Sequence, residues 1–226
     1  MRIAATRRPR SKWRRSWYWN SAHPDVAAAT VLIIACGALA KEIVELQRLN
    51  GWSHIKIQCL PAELHNRPEK IPAAVREALS HYQDEYEHVF VAYADCGTGG
   101  VLDKVLGEFD VARLPGAHCY EFYSGSAEFE TLSADEPASF YLTDFLARHF
   151  ERLVKQGLGL DRHPELMSTY FGNYKRLVYL SQSESGQLEE AARRHADYLG
   201  LEFEHRHTGL TPVGHDIGEH VIQWQS

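Results

Sequence analysis

Cys36, Cys96 and Cys119 lie far apart along the chain, yet each closes or follows an apolar run that reads as a strand. Cys36 comes directly after Ala27 to Ala35 (AAATVLIIA). Cys96 sits in the turn Asp95-Cys96-Gly97 that ends HVFVAYA, and Cys119 falls inside Ala117 to Phe122 (AHCYEF). In an open parallel sheet the carboxyl ends of all strands share one edge, and ligands bind there. Three thiols gathered at one edge make a soft donor set suited to Zn²⁺ or to an iron–sulfur cluster. Three protein ligands also leave a position open for water or substrate. His118 is a fourth candidate ligand at that edge. His65, Asp95 and Glu121 are candidates to move protons there. The cysteines are not paired as CxxC, which excludes a zinc ribbon and leaves topology as the whole basis for grouping them.

Plain structural roles compete for the same residues. Cys59, within a strand rather than at its end, is expected to be an apolar filler. Asp95 precedes a helix and has the chemistry of a cap. His65 stands in Leu64-His65-Asn66-Arg67-Pro68, which also suits a surface turn. His118 and Cys119 are adjacent, so in a strand only one of them faces inward unless Pro115-Gly116 forms a bulge. Glu121 is in phase with Cys119 and reads either as a general base or as a solvated residue. Gly37 and Gly97-Thr98-Gly99-Gly100 allow close backbone approach to a cofactor. The second stretch matches neither GxGxxG nor GxxxxGK[ST], so a nucleotide is weakly supported.

The elements needed to position these residues alternate along the chain. Ala27 to Ala35, His54 to Leu60 and the run from His88 read as buried strands. Ala38 to Asn50, with Leu39, Ile43, Leu46 and Leu49 on one face, Glu69 to Tyr86, and Val101 onward read as helices. Val111 to Leu114, continued through Ala117 to Phe122, is expected to be a fourth strand. Glu136 to Gln156 is expected to be one long helix with Ser139 as its N-cap. A short helix over Pro164 to Phe171, a strand at Arg176 to Leu180, a helix at Glu184 to Leu199 and a strand at Leu201 to His205 follow. Beyond Thr211 the pattern fades. The clusters around Tyr141 to Asp144 and Tyr170 to Tyr174 read as caps and aromatic packing. The expected fold is α/β, a Rossmann-like, doubly wound, mostly parallel sheet with helices on both faces and a helical insertion over Gly116 to Gly172.

At 226 residues and 44% apolar, the chain is long enough for one such domain over residues 25–226. Residues 1–24 hold seven of the 24 Lys and Arg and no acid, with Trp13, Trp17, Tyr18 and Trp19 among them. This head reads as a basic disordered tail or as sequence upstream of the true start, ahead of a third reading as a peripheral membrane or nucleic-acid arm. The body that remains carries 17 bases against 30 acids, which argues against nucleic acid as a partner. No apolar segment is long enough to cross a bilayer and the head lacks the apolar middle of a secretory signal. With only four cysteines, a reducing cytoplasm is the expected setting.

Several stretches together resemble a known family. They are ACGALAKEI, CLPAELHNRPEKIP, FVAYADCGTGG, LPGAHCYEF, YLTDFLARHF and GLGLDRHPEL, spread over Val31 to Leu210. The family is the bacterial and archaeal domain of unknown function 1638. The resemblance implies a Rossmann-like domain with cysteines at Cys36, Cys96 and Cys119. It also implies a neighbourhood of corrinoid-dependent methyltransferases, and so a role in methyl or one-carbon metabolism. Three functions are compatible with these residues. One is a metal- or iron–sulfur-dependent enzyme acting on a small molecule. Another is a non-catalytic accessory that holds a metal or a corrinoid for a corrinoid protein or methyltransferase. The third is a thiol redox enzyme using two of the cysteines.

Overall fold

The computed structural model describes residues 29–222 and 224, and the basic head lies outside them. Seven parallel strands form two sheets rather than the single sheet expected. The first sheet has the order β2-β1-β3-β4 and the second β5-β6-β7. The α/β, Rossmann-like character read from the sequence holds in both.

In the first sheet β1 (Val31–Cys36) is central, and all six of its residues are buried. A strand covered by helices on both faces has no solvent side, so it is apolar at every position instead of alternating. β2 (Ile55–Leu60) and β3 (His88–Ala92) flank it, and the two-residue β4 (Ala112–Arg113) closes the edge. Helices α1 (Ala40–Asn50), α2 (Ile71–Tyr82) and α3 (Val101–Gly107) make the crossovers. Ile43 and Leu46 of α1 and Ile71, Val75 and Leu79 of α2 recur at helical spacing and are buried. Each such side chain contributes roughly 1.5–3 kcal/mol of burial.

The sequence expectation fails between Ala117 and Gln156. Ala117 to Phe122 is not a strand: the chain turns and enters α4 (Tyr120–Ser124), followed by α5 (Ser126–Asp135). Ser139 does not cap a long helix. It begins β5 (Ser139–Thr143), and α6 (Asp144–Phe150) starts only afterwards, running into a π-helical turn at Glu151–Gln156. Thr143 is the true N-cap, its Oγ1 accepting from the Leu146 N–H at 3.4 Å. A five-residue apolar run before a helix extends the helical spacing by chance, which is why the boundary was hidden.

α7 (Met167–Phe171), β6 (Arg176–Ser181), α8 (Gly186–Leu199) and β7 (Glu202–His207) complete the second sheet. Its two faces feed two cores. Tyr141, Val178 and Leu180 pack into the core of the first sheet, whereas Leu142, Leu177 and Tyr179 pack with Phe150 and Ala192 on the far side. The strand period of two divides them. The last stretch, where the sequence is uninformative, forms α9 (Thr211–Ile222). It returns to the first sheet, burying Val213, Ile217 and Val221. Among the described residues no helix is long and apolar enough to cross a membrane.

Candidate functional site

The carboxyl edge of the first sheet brings the expected cysteines together by a specific backbone route. After β3 and β4 diverge in sequence, their hydrogen bonding continues past the strand ends. Leu114 N–H donates to the Val91 carbonyl, Asp95 N–H to Gly116 at 3.2 Å, and Cys96 N–H to Ala117 at 2.9 Å. This zipper sets the turn carrying Cys96 beside the segment carrying Cys119, and their Sγ atoms lie 2.8 Å apart. Cys96 itself has φ +50°, in the left-handed region that few non-glycine residues enter. Cys36 ends β1. Gly37 follows it because a Cβ there would sit 2.9 Å from the Leu60 carbonyl oxygen. Without a side chain, the chain leaving β1 passes tightly under the end of β2.

The protons in this group are unevenly held. A hydrogen bond from Cys119 is the main reason the Cys96 pKa is lowered, ahead of the opposing effect of burial. The same bond, then burial, pushes Cys119 well above the usual thiol range. Burial pushes Cys36 up to about 12. Of the two sulfurs, Cys96 is thus the one whose ionised form is favoured, with Cys119 as its donor, while burial disfavours ionisation of Cys36. Tyr93 lies against this group with its phenol buried and facing the Cys36 thiol. Cys59, within β2, is half-buried away from this contact, and burial raises it to about 11.

Cys36 and Cys119 line a slot of about 30 Å³ between the two sheets. Tyr120 and Tyr123 of α4, Thr143, Phe145 and the exposed His65 also line it. A volume of this size holds one or two waters or an ion, not an organic substrate. His65 Nε2 lies 3.4 Å from the Tyr120 hydroxyl. The surrounding protein, then His118, disfavours its imidazolium and lowers its pKa. His118 is exposed.

Other expected site residues are engaged elsewhere. The Asp95 carboxylate accepts from Thr98 Oγ1 at 2.7 Å, from Gly100 N–H at 2.8 Å and from Gly99 N–H at 3.0 Å. These bonds hold its pKa below the usual carboxylate value, the Thr98 bond contributing most. The glycine turn thus encloses a negative charge supplied by its own chain. The Thr98, Gly99 and Gly100 donors expected for a cofactor phosphate are taken, and Asp95 ties the turn before α3 instead of capping the helix, whose N-cap is Gly100. Glu121 sits on α4, not on a strand, and its carboxylate rests against Gly116, outside the slot.

Cys36, Cys96, Cys119 and His118 do not close round a single point. Among the described residues no three His, Cys, Asp or Glu side chains are grouped to hold a metal ion. The donor chemistry nevertheless suits a soft metal: two sulfurs are in contact, and the third lines the same slot as one of them. Tyr93, Tyr120, Tyr123 and Thr143 escaped sequence reasoning. The one available signal was Thr143, where an N-cap residue precedes Asp144 and an apolar helical run.

A family model described as a protein of unknown function (DUF1638) matches residues 59–215. The chain belongs to the DUF1638 family. The matched stretch includes Cys96, Cys119 and His65 and begins beyond Cys36, so it is narrower than the Val31 to Leu210 resemblance. No curated protein and no solved structure matches this DUF1638 member.

Proposed function

We propose that this chain is an enzyme that acts on a small molecule through the Cys96–Cys119 pair, Cys96 being the attacking thiolate. The observation that carries the reading is the 2.8 Å contact between the Cys96 and Cys119 sulfurs, in which the Cys96 pKa is lowered and that of Cys119 raised. A thiolate stabilised by a neighbouring thiol is the arrangement of dithiol–disulfide exchange. Cys96 Sγ attacks one sulfur of a small disulfide and expels the other half as a thiolate. The Cys119 thiol passes its proton to that leaving thiolate and attacks the mixed disulfide. The products are a Cys96–Cys119 disulfide, one substrate thiol and one substrate thiolate, which takes its proton from water. Closing the bond requires the sulfurs to move from 2.8 Å to about 2.05 Å. Incubation with glutathione disulfide should give a protein lighter by two hydrogens, with the Cys96 and Cys119 peptides joined. Cys96→Ala should abolish both changes. A wild-type protein that forms only stable mixed disulfides, or none, refutes the reading.

A second reading is favoured by Cys36, whose sulfur lines the slot with Cys119. In it Cys36, Cys96 and Cys119 hold Zn²⁺ or an iron–sulfur cluster, which would supply Lewis acidity or an electron to a small substrate. His65 in the slot lining would then carry protons, and Glu121 or Asp95 would do so only after leaving their present partners. A place in methyl or one-carbon metabolism, with a corrinoid protein or methyltransferase as partner, belongs to this reading and rests on the family resemblance. So does a non-catalytic role as a metal or corrinoid carrier. Anaerobic purification followed by metal and acid-labile sulfide analysis separates the two: stoichiometric metal supports the second reading, and metal-free protein with exchanging thiols supports the first.

A further inference from the structure

A separate group of side chains lies at the carboxyl edge of the second sheet, remote in sequence from every cysteine. Ser181 is the last residue of β6 and is 1% exposed. Its Oγ lies 2.9 Å from His205 Nε2 and 2.9 Å from His207 Nδ1. His205 Nδ1 in turn lies 3.5 Å from Glu189 Oε2 on α8. All four residues line a cleft of about 350 Å³, which also takes in the start of α8 at Gly186.

The proton positions follow from counting donors. A serine hydroxyl has one hydrogen and two lone pairs, so at most one of its two imidazole neighbours can accept from it, and the other can only donate to Oγ. Glu189 beside Nδ1 of His205 selects the tautomer with hydrogen on Nδ1, which leaves Nε2 as the acceptor. His207 must then present its Nδ1–H to Oγ. The chain runs His207 to Ser181 to His205 to Glu189, and it turns the serine hydrogen towards a base that is itself oriented by a carboxylate. Nucleophile, base and orienter in that order are the parts of a serine acyl-transfer centre. The imidazole of His205 is stacked on Tyr179, with ring centroids 5.1 Å apart and 20° between planes. The loop after Ser181 is pinned at Asp144, which accepts from Gln182 N–H at 3.2 Å and from the Ser183 hydroxyl. The group is thus held in place before any substrate arrives.

We propose that this cleft is a second reaction centre, a serine hydrolase site for small carboxylic esters, with Ser181 as nucleophile, His205 as general base and Glu189 as its orienting group. Ser181 Oγ bonds to the ester carbonyl carbon while its proton passes to His205 Nε2, and the carbonyl electron pair moves onto oxygen. Gly186, the first residue of α8, lines the cleft, and its N–H is the candidate donor to this oxyanion, since the N–H groups of Leu188 and Glu189 are taken by Ser185. Collapse breaks the bond to the leaving alkoxide, which takes the proton from His205. Water, deprotonated by His205, then cleaves the acyl-Ser181 and releases the carboxylic acid. Glu184 and Glu189 in the cleft lining select neutral or positively charged esters over anionic ones.

The test uses the full chain. Folded protein is treated with a fluorophosphonate probe and the modified peptide is located by mass spectrometry, with heat-denatured protein as the comparison. Steady-state hydrolysis of p-nitrophenyl acetate is measured in parallel. The expected result is modification at Ser181 in folded protein alone, and a loss of turnover of about 10³-fold or more in Ser181→Ala and His205→Gln. Glu189→Gln, on a partly exposed helix face, should fold normally and label more slowly. Absence of label, label on another residue, or full turnover in a folded Ser181→Ala overturns the proposal. If Ser181→Ala fails to fold, the labelling of wild-type protein decides alone.

Discussion

Replacing Glu42 by Gln removes a titration that the folded chain carries and the unfolded chain does not. Glu42 sits on α1, 3% exposed, and its Oε2 has no hydrogen-bond partner within the structure. Burial is the main reason its pKa is raised from 4.5 to about 7. Between those values the folded protein holds a proton that the unfolded chain has released. Stability from this group is therefore fully present below pH 4.5 and is lost as pH rises through about 7. At about 1.36 kcal/mol per pH unit, the whole interval is worth about 3 kcal/mol. Gln is neutral throughout and of the same size. Glu42→Gln should match wild type near pH 4.5 and exceed it by about 3 kcal/mol at pH 8, as measured by urea denaturation across that range. His65, His149 and His195 titrate in the opposite sense, because their lowered pKa values remove stability as pH falls through 6.5. The difference between variant and wild type cancels them. Parallel stability curves for the two proteins would refute the claim that Glu42 is buried and protonated.

Three further outcomes follow from the cysteine edge. Cys119→Ala removes the hydrogen bond that stabilises the Cys96 thiolate, so alkylation of Cys96 by iodoacetamide at pH 7 should slow several-fold in a mass-spectrometric time course; an unchanged rate would show that the bond does not set its reactivity. Gly37→Ala places a Cβ against the Leu60 carbonyl, 2.9 Å away, where both partners are backbone, and should cost about 1–3 kcal/mol by urea denaturation. Asp95→Ala leaves Thr98 Oγ1 and the Gly99 and Gly100 N–H groups of the turn without their acceptor and should cost about 1–3 kcal/mol by urea denaturation. An unchanged stability combined with lost activity would instead make Asp95 a proton carrier.

The first half of the fold was legible because its signals agree. Val31 to Cys36 is apolar at every position, α1 presents Ile43 and Leu46 at helical spacing, and Gly51 ends it at φ +66°. From Pro115 to Gln156 the signals conflict. Ala117 to Phe122 contains Cys, Tyr and Phe, which favour strands, but the backbone zipper at Gly116 and Ala117 ends at Cys96, and the next turn coils into α4. Ser139 to Thr143 continues the apolar spacing of α6, so only tertiary pairing with β6 marks it as a strand. Without β5 the second sheet could not be counted, and one sheet was the natural reading.

The candidate site was legible in part for the same reason. That strand ends carry Cys36 and Cys96 is a matter of topology, which sequence conveys; that Cys119 joins them depends on hydrogen bonds beyond β4, which it does not. The orientation of His118 also depended on a strand that is absent. Ser181 and His207 lie just past the ends expected for their strands, Leu180 and His205, and their meeting requires β6 and β7 to pair in the register Ser181 with His207.

Access decides which sulfur meets a substrate. The slot of about 30 Å³ between the sheets admits an ion or a water but no organic molecule, so Cys36 and Cys119, which line it, are reached only by species of that size. Cys96 is placed differently: it is half-buried in a turn with exposed Gly97 and Gly99, and a Cβ added at Gly99 or Gly100 would meet open space. A substrate approaching from outside therefore reaches the lowered-pKa sulfur first, and the partner that must resolve the adduct lies behind it. A metal taken up from the slot side would meet Cys119 and Cys36 first, with Cys96 closing over it. The two readings of this edge thus enter from opposite sides, and blocking Cys96 from solvent with a bulky maleimide should stop disulfide exchange while leaving small-ion entry to Cys119 and Cys36 open.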